Sequence, residues 1–512
     1  MKAYSFPSVE VEGLTLILGL GETGVAAAAW CLMHGARLRV LDTRDEPAGI
    51  ASLRERLGEL GQVEFRLGAQ SFVDAALDGV SRIVLSPGLA PNQAPTQGLL
   101  EAARLRGIEV LGEIELFARA LADLAEQGYR PKVLAVTGTN GKTTVTSMTQ
   151  QIVQACGVSA RVAGNISPAA LTALADAIGT DTLPDVWVLE LSSFQLVSTS
   201  SLAPDAAVVL NLTQDHLDWH GSMQAYGEAK ASLLRSAKIA IVNRDDPLVA
   251  AMVPELRSVR VRSFGRDVPH WAGDLGLDGS QGLAWLCASE PVDFDPPGGA
   301  ATGRRRKVAE EPVREPGRLS RLMPTDALRI RGMHNAMNAL AALALARSLD
   351  LGWAGLLHAV REYGGEPNRV EFVRSVRGID FINDSKGTNV GATVAALEGL
   401  GQKAVLIAGG LGKGQDFSPL CKVVRDHARA VVLIGADAQA IAAVLDETGI
   451  AVRHAETLEQ AVSQAFELAQ PGDAVLLSPA CASMDMFRSY KHRGEVFVDA
   501  VHELALDSGE VA

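Results

Sequence analysis

Val133-Leu-Ala-Val-Thr-Gly-Thr-Asn-Gly-Lys-Thr-Thr-Val145 decides how this chain folds, because an apolar run rich in β-branched residues stops at a glycine-rich turn that opens a helical pattern. The stretch predicts a strand, a phosphate-binding loop and a helix. Backbone N–H groups and the positive end of a helix dipole converge at such a junction, so its natural guest is a polyphosphate. Lys142 is placed to meet the β- and γ-phosphates and the Thr143 hydroxyl to meet Mg²⁺. Val136 stands where the first Gly of the standard G-x-x-x-x-G-K-[ST] spacing belongs, which makes Gly138-Thr-Asn-Gly-Lys-Thr143 a compact variant.

A chain of 512 residues exceeds what one hydrophobic core supports, and three domains are expected: 1–120, 121–365 and 366–512. Hydrophobic content of 47% suits a globular α/β protein, and no apolar run reaches membrane-spanning length. The net charge of −13 disfavours nucleic acid as a partner, so an anionic ligand must be held by local positive charge and backbone amides. Five cysteines without CxxC spacing argue against a disulfide framework or a zinc site. The N-terminus shows no basic region followed by an apolar core, and a cytoplasmic protein is expected.

The first domain opens with strand Leu14–Leu18, the turn Gly19-Leu-Gly-Glu-Thr-Gly24, an Ala-rich helix, and a second strand ending in Asp42. This βαβ unit is Rossmann-like, and its G-x-G-x-x-G turn suits either NAD or a different nucleotide held the same way. In the central domain the strand Asp185–Glu190 delivers Glu190 beside the phosphate loop, where nucleotide-binding proteins place a Mg²⁺ ligand. His216, between Asp215 and Asp218, suits a metal ligand, an orienting group or merely a capped turn. Lys230 falls on a helix beginning near Met223 and by itself reads as a helix-surface lysine. From 266 to 321 the Pro, Gly and charge content, including Arg304-Arg-Arg-Lys307, predicts a mobile surface insertion. The helix after Gly332 carries His334, Asn335 and Asn338 in its first turns, where amides serve as caps or read a purine edge. Beyond Glu366, strands alternate with helices, and the loops Asn383–Asn389, Gly409–Asp416 and Ser478–Asp485 should meet on one edge of a sheet.

Taken together, Gly138-Thr-Asn-Gly-Lys-Thr143, Glu190-Leu-Ser-Ser-Phe-Gln195, Asp215-His216, Gly332-Met-His-Asn335, Arg369 and Asn383-Asp-Ser-Lys386 resemble the signature of the ATP-dependent Mur ligases of peptidoglycan synthesis, over nearly the whole chain. The turn Gly19–Gly24, Asp42-Thr-Arg44, Ser86-Pro-Gly-Leu89, Lys386-Gly-Thr-Asn389 and Ser478–Ser483 resemble the branch that adds D-glutamate to UDP-N-acetylmuramoyl-L-alanine. The resemblance implies three α/β domains: an N-terminal Rossmann-like domain for a UDP-sugar, a central P-loop ATPase-like parallel sheet, and a C-terminal Rossmann-like domain that takes the amino acid and closes on ATP about a hinge near Tyr363-Gly-Gly365. It implies ATP phosphates on Gly138, Thr139, Asn140, Gly141, Lys142 and the Thr143/Thr144 pair, with adenine, phosphate and ribose on Asn338, Arg369 and Asp384. Mg²⁺ would lie near Thr143, Glu190, His216 and a carbamylated Lys230, and the catalytic set would be Lys142, Glu190, His216 and Lys230. The UDP-sugar would contact Leu20, Gly21, Thr23, Asp42, Thr43 and Arg44, with its peptide arm near Asn165. D-glutamate would meet Lys386, Thr388, Lys413, Ser483 and Tyr490. Leu411 replaces an expected acidic residue and Tyr490 an expected Phe, and both departures fall on the amino-acid side. A monomer without membrane insertion is expected. The same signatures leave open another Mur ligase, or a folylpolyglutamate synthase-like ligase, with a different amino acid.

Overall fold

The computed structural model describes residues 4–60, 63–280, 282–292, 313–330 and 332–510. Three sheets follow one another along the chain, each faced by helices. In the first, five parallel strands lie in the order Val63–Leu67, Leu38–Asp42, Leu14–Leu18, Val80–Leu85 and Glu109–Leu111. The Ala-rich helix Glu22–Met33 packs against its neighbours through small side chains, and Val25 to Cys31 are all buried.

The phosphate-loop strand Lys132–Thr137 sits inside the second sheet, between Val186–Glu190 and Ala206–Val209. Register decides what this brings together. Val136 pairs with Glu190 and Thr137 with Val209, so Gly138, Glu190 and Leu210-Asn211 emerge side by side at the C-terminal edge of buried strands. Gly141 holds φ 84°, a backbone conformation that favours glycine, and its missing Cβ leaves room for Asn338 Oδ1, which a Cβ would approach to 2.7 Å. The helix Lys142–Ala155 then packs against Met333–Arg347.

This sheet has nine strands and is mixed, not wholly parallel as expected. Seven strands from Ala160–Gly164 to Leu275–Asp278 run parallel, and Trp285–Glu290 and Arg318–Pro324 add an antiparallel extension. The extension corrects the expectation of a surface insertion at 266–321, for its described residues; residues 293–312, with the basic cluster Arg304–Lys307, lie outside them. Runs as short as Leu275-Gly-Leu-Asp278 are outweighed by Pro, Gly and charge in any composition reading. Yet Leu275, Leu277, Leu286 and Ala288 are buried in the core that holds the helix Met333–Arg347. The Arg314–Asp274 ion pair, with both side chains at most 4% exposed, pins the extension to the sheet.

The third sheet runs Glu371–Val376, Ile379–Asn383, Ala474–Leu477, Ala404–Gly409, Ala428–Ile434 and Ala451–His454, antiparallel only in its first pair. Asn383 and Ile407 both pair with Leu477, and Gly409 with Ile434, so the loops that follow share one edge, as expected. Among the described residues no helix is long and apolar enough to cross a membrane.

Asp274 also accepts the Ser263 N–H at 2.7 Å, so Asp274→Ala strands a buried guanidinium and a buried amide. A loss of about 3–5 kcal/mol in chemical denaturation is expected, restored only in part in the apolar double variant Asp274→Leu/Arg314→Met, which removes the stranded charge but leaves the Ser263 amide without its acceptor.

Candidate active site

The phosphate loop is tied down from several sides. Asn211 grips the backbone of Asn140, accepting its N–H at 2.8 Å and donating to its carbonyl at 3.1 Å. The Thr139 hydroxyl meets Tyr226 OH at 3.0 Å and donates to Thr213 O at 3.2 Å. Lys142 Nζ donates to Gly138 O at 3.0 Å and Thr139 O at 2.8 Å. Lys230 Nζ donates to the same Gly138 oxygen at 2.9 Å and to Thr137 Oγ1 at 3.3 Å. Far from lying on a helix surface, Lys230 is 1% exposed. Burial, with Lys142 close by, holds its pKa well below the usual lysine value, and burial lowers that of Lys142 as well. Burial disfavours the charged form of such an amine.

Beside the lysines, Glu190 is buried at its strand end. Its carboxylate accepts Thr143 Oγ1–H at 2.7 Å and Asn165 Nδ2–H at 2.8 Å, and Arg369 reaches across from beyond the central sheet to the Thr143 hydroxyl. His216 has φ 54° and stacks edge-on against Phe194. Its Nε2 lies 3.6 Å from Asp215, but burial lowers its pKa and keeps the ring neutral. Thr143, Glu190, His216 and Lys230 line one cleft of about 1060 Å³, shared with Lys386, Thr388, Lys413 and Tyr490 of the third sheet's loops. Lys386 Nζ stands 3.9 Å above the Tyr490 ring, and burial lowers its pKa to about 8. Ser483 is buried at the loop base and is not on the cleft wall. Leu411 contributes through its backbone, exchanging two 2.9 Å hydrogen bonds with Ala482, so the absent acid removes no contact of the strand bridge.

A second cavity of about 490 Å³ adjoins the loop on the side of Gly141 and Thr144. Asn338, Arg369, Asp384 and Asn335 line it, with apolar Phe264 and Ile330. Burial raises Asp384 to about 7, although its carboxylate accepts Ser478 Oγ–H at 2.7 Å. The predicted UDP residues gather elsewhere, around Asp42. Its carboxylate accepts the Leu20 N–H at 2.7 Å and the Arg44 N–H and guanidinium, and these bonds hold its pKa below the usual carboxylate range despite burial. Gly21, Thr23 and Thr43 flank that knot in sequence. Ser167 donates to Glu22 at 2.6 Å, joining the first domain to the loop that carries Asn165.

Sequence reasoning passed over Tyr226, Asn211 and Arg493. Arg493 is fully buried and donates to Ser385 Oγ and O and to Cys481 O, so it ties two site loops to the last helix, Tyr490–Asp507. A helical arginine gives no signal of that role. Asn211 follows a buried strand at the same edge as the phosphate loop, and that placement could have found it.

Three family models match the chain in order: the Mur ligase MurD-like N-terminal domain over residues 14–112, the Mur ligase middle domain over 136–283 and the Mur ligase glutamate ligase domain over 368–481. A protein of Bordetella bronchiseptica named UDP-N-acetylmuramoylalanine–D-glutamate ligase is 66% identical over 98% of this chain and 98% of its own length. One of Burkholderia cenocepacia with the same name is 55% identical over 97% and 98%. Among solved structures, MurF from Acinetobacter baumannii superposes with a TM-score of 0.56 at 18% identity over 96% of this chain and 92% of its own. MurF from Thermotoga maritima in complex with ADP gives 0.53 at 17%, covering 98% of each. At such identity the structures establish the shared fold.

His334, half-buried beside the second cavity, has its pKa lowered to about 4 by desolvation. The unfolded chain binds that proton more readily, so stability is full above pH about 6.5 and is lost as pH falls toward 4, by up to about 3 kcal/mol. Urea denaturation at pH about 7.5 and about 5 should show this loss, and His334→Gln should reduce it, the remainder coming from His220, whose pKa burial also lowers to about 4.

Proposed function

The chain belongs to the Mur ligase family, and on that footing we propose that it is the ATP-dependent ligase that joins D-glutamate to UDP-N-acetylmuramoyl-L-alanine. One observation carries the reading: a single cleft in which a phosphate loop with its half-buried Lys142, the buried Glu190 carboxylate and the buried Lys230 of the central domain face Lys386, Lys413 and Tyr490 of the C-terminal domain. An amide cannot form directly from a carboxylate, whose leaving group would be oxide. Phosphorylation replaces that group with phosphate.

In the first step the L-alanyl carboxylate oxygen attacks the γ-phosphorus of ATP; an O–P bond forms and ADP leaves. Lys142 exchanges its loop carbonyls for phosphate oxygens and offsets the charge that develops there. In the second step the D-glutamate amine attacks the acyl carbon, and phosphate leaves. His216, held neutral, takes the amine proton. Lys386, Lys413 and Thr388 hold the D-glutamate carboxylates and Asn165 the peptide arm, while Ser483 lies buried behind the cleft wall. The 490 Å³ cavity takes adenine and ribose, with Asn338, Arg369 and Asp384 on its wall. The knot at Asp42 presents Leu20 to Thr23 and Arg44 to uridine diphosphate.

Two amines at one carbonyl oxygen favour conversion of one of them into an anion. Neutral Lys230 is suited to attack CO₂, forming a C–N bond and releasing a proton to water. Among the described residues no cluster of three His, Cys, Asp or Glu side chains is ready to hold a cation. A carbamate on Lys230 supplies the missing oxygens beside Thr143, Glu190 and His216. Mg²⁺ bound there would screen the transferred phosphoryl group. ATP, a UDP-sugar and free thiols support a cytoplasmic setting.

Purified protein with ATP, Mg²⁺ and UDP-N-acetylmuramoyl-L-alanine should release phosphate with D-glutamate and not with L-glutamate, L-alanine or meso-diaminopimelate, and yield one new amide by mass. Release with another of these amino acids would move the specificity. Lys142→Ala should lower the rate by about 10³-fold. Labelled bicarbonate should give a carbamate signal in carbon NMR that Lys230→Ala abolishes; a wild-type spectrum without it would sink the carbamate.

A further inference from the structure

Between the central and C-terminal domains two carboxamides face each other. Asn140 Nδ2 donates to Asn389 Oδ1 at 3.2 Å, and Asn389 Nδ2 donates to Asn140 Oδ1 at 3.0 Å, a reciprocal pair that satisfies both groups. Each partner is fixed from behind. Asn140 is clamped through its backbone by the Asn211 amide, within the phosphate loop. Asn389 is the N-cap of helix Val390–Gly399, its Oδ1 accepting the Ala392 N–H at 2.9 Å. The next residue, Val390, donates its N–H to Gln415 Oε1 at 3.1 Å, and Gln415 Nε2 donates to Ala480 O at 2.8 Å. Four amide side chains, linked in part through the backbones of Asn140 and Val390, thus connect the end of a central strand, the phosphate loop and the loop that carries Lys413. Gly391 lets the helix approach closely: a Cβ there would lie 3.1 Å from Thr213 Oγ1 and 3.5 Å from Asn140 Nδ2.

Resting on the ligase reading above, we propose that Asn389 is a positioning residue for amide formation: paired with Asn140, it latches the amino-acid loop onto the phosphate loop, so that the amine reaches the acyl phosphate only when the C-terminal domain is docked. Chemistry favours this use of two amides. Both are neutral, so separation strands no charge and water replaces each bond at little cost. A reciprocal donor–acceptor pair also accepts one orientation, which a lysine–carboxylate contact would not enforce. Asn389 is one residue beyond Thr388 and three beyond Lys386, so docking it sets both relative to Lys142.

Asn389→Ser separates the latch from the helix cap, because serine is also a good N-cap yet cannot complete the pair. The variant should melt at the wild-type temperature. With Mg²⁺ and a nonhydrolysable ATP analogue, small-angle scattering should show the wild-type protein compacting and the variant compacting less. Its kcat/KM for D-glutamate should fall about tenfold, with the KM for UDP-N-acetylmuramoyl-L-alanine unchanged. In a double-mutant cycle, Asn140→Ala with Asn389→Ala should cost no more than the larger single loss. Wild-type compaction and kcat/KM in Asn389→Ser, or strictly additive losses in the cycle, would overturn the latch. Failure of the wild-type enzyme to use D-glutamate would instead sink the substrate reading, and scattering would still decide the latch.

Discussion

Lys142 and Lys230 donate to the same carbonyl oxygen, that of Gly138, inside a cleft from which both are largely withdrawn from water. Like charges so placed oppose each other, and burial penalises each ammonium further. Asp215 and Glu190 offset part of that repulsion, and the remainder favours entry of an anion or loss of a proton from one amine. Both outcomes serve the proposed chemistry: phosphate oxygens meet Lys142, and an uncharged Lys230 becomes a nucleophile toward CO₂. Much of the surrounding structure maintains this tension. Tyr226 and Thr139 wall in the lysines, Asn211 fixes the loop, and Glu190 supplies a carboxylate without pairing directly with either lysine.

Strand register carries that constraint into the fold. Glu190 and Gly138 emerge at one level because Val136 pairs with Glu190. A slip of one residue would turn Glu190 to the other face of the sheet. In the third sheet the pairing of Asn383 and Ile407 with Leu477 does the same for the loops holding Lys386 and Lys413. Each sheet is a rigid platform, and the reaction lies between platforms. Among the described residues the side-chain contacts across the gap include the neutral Asn140–Asn389 pair and the charged Arg369 reaching Thr143. The neutral pair can dock and separate without stranding charge.

Much of this was legible in the sequence for local reasons. A phosphate loop is a contiguous string, so Lys142, Thr143 and the glycines declare themselves. Glu190 and the polar loops after 383, 409 and 478 follow from buried strands that end in polar residues. Lys230 shows the limit. Its helix is visible, but its burial comes from contact with strand residue Thr137 and with Gly138, more than ninety positions away. Only the resemblance to a ligase family pointed to it. The extension at 275–324 shows another limit, because its strands are short and are stabilised by pairing with one another and by the Arg314–Asp274 contact, neither of which composition records.

The sequence by itself determined the elements and their chemistry: strand, glycine turn, helix, and which loops carry amines, amides and carboxylates, because backbone preference and hydrophobic period act over a few residues. Tertiary structure alone decided which of those groups share a boundary. It buried Lys230 beside Lys142, turned Arg493 inward to hold two loops, left Ser483 behind the cleft wall and set Asn140 against Asn389 across 249 positions. The reason is physical. Desolvation, pKa and hydrogen-bond partnership depend on what surrounds an atom in space, and in this chain those surroundings are assembled from three separate sheets.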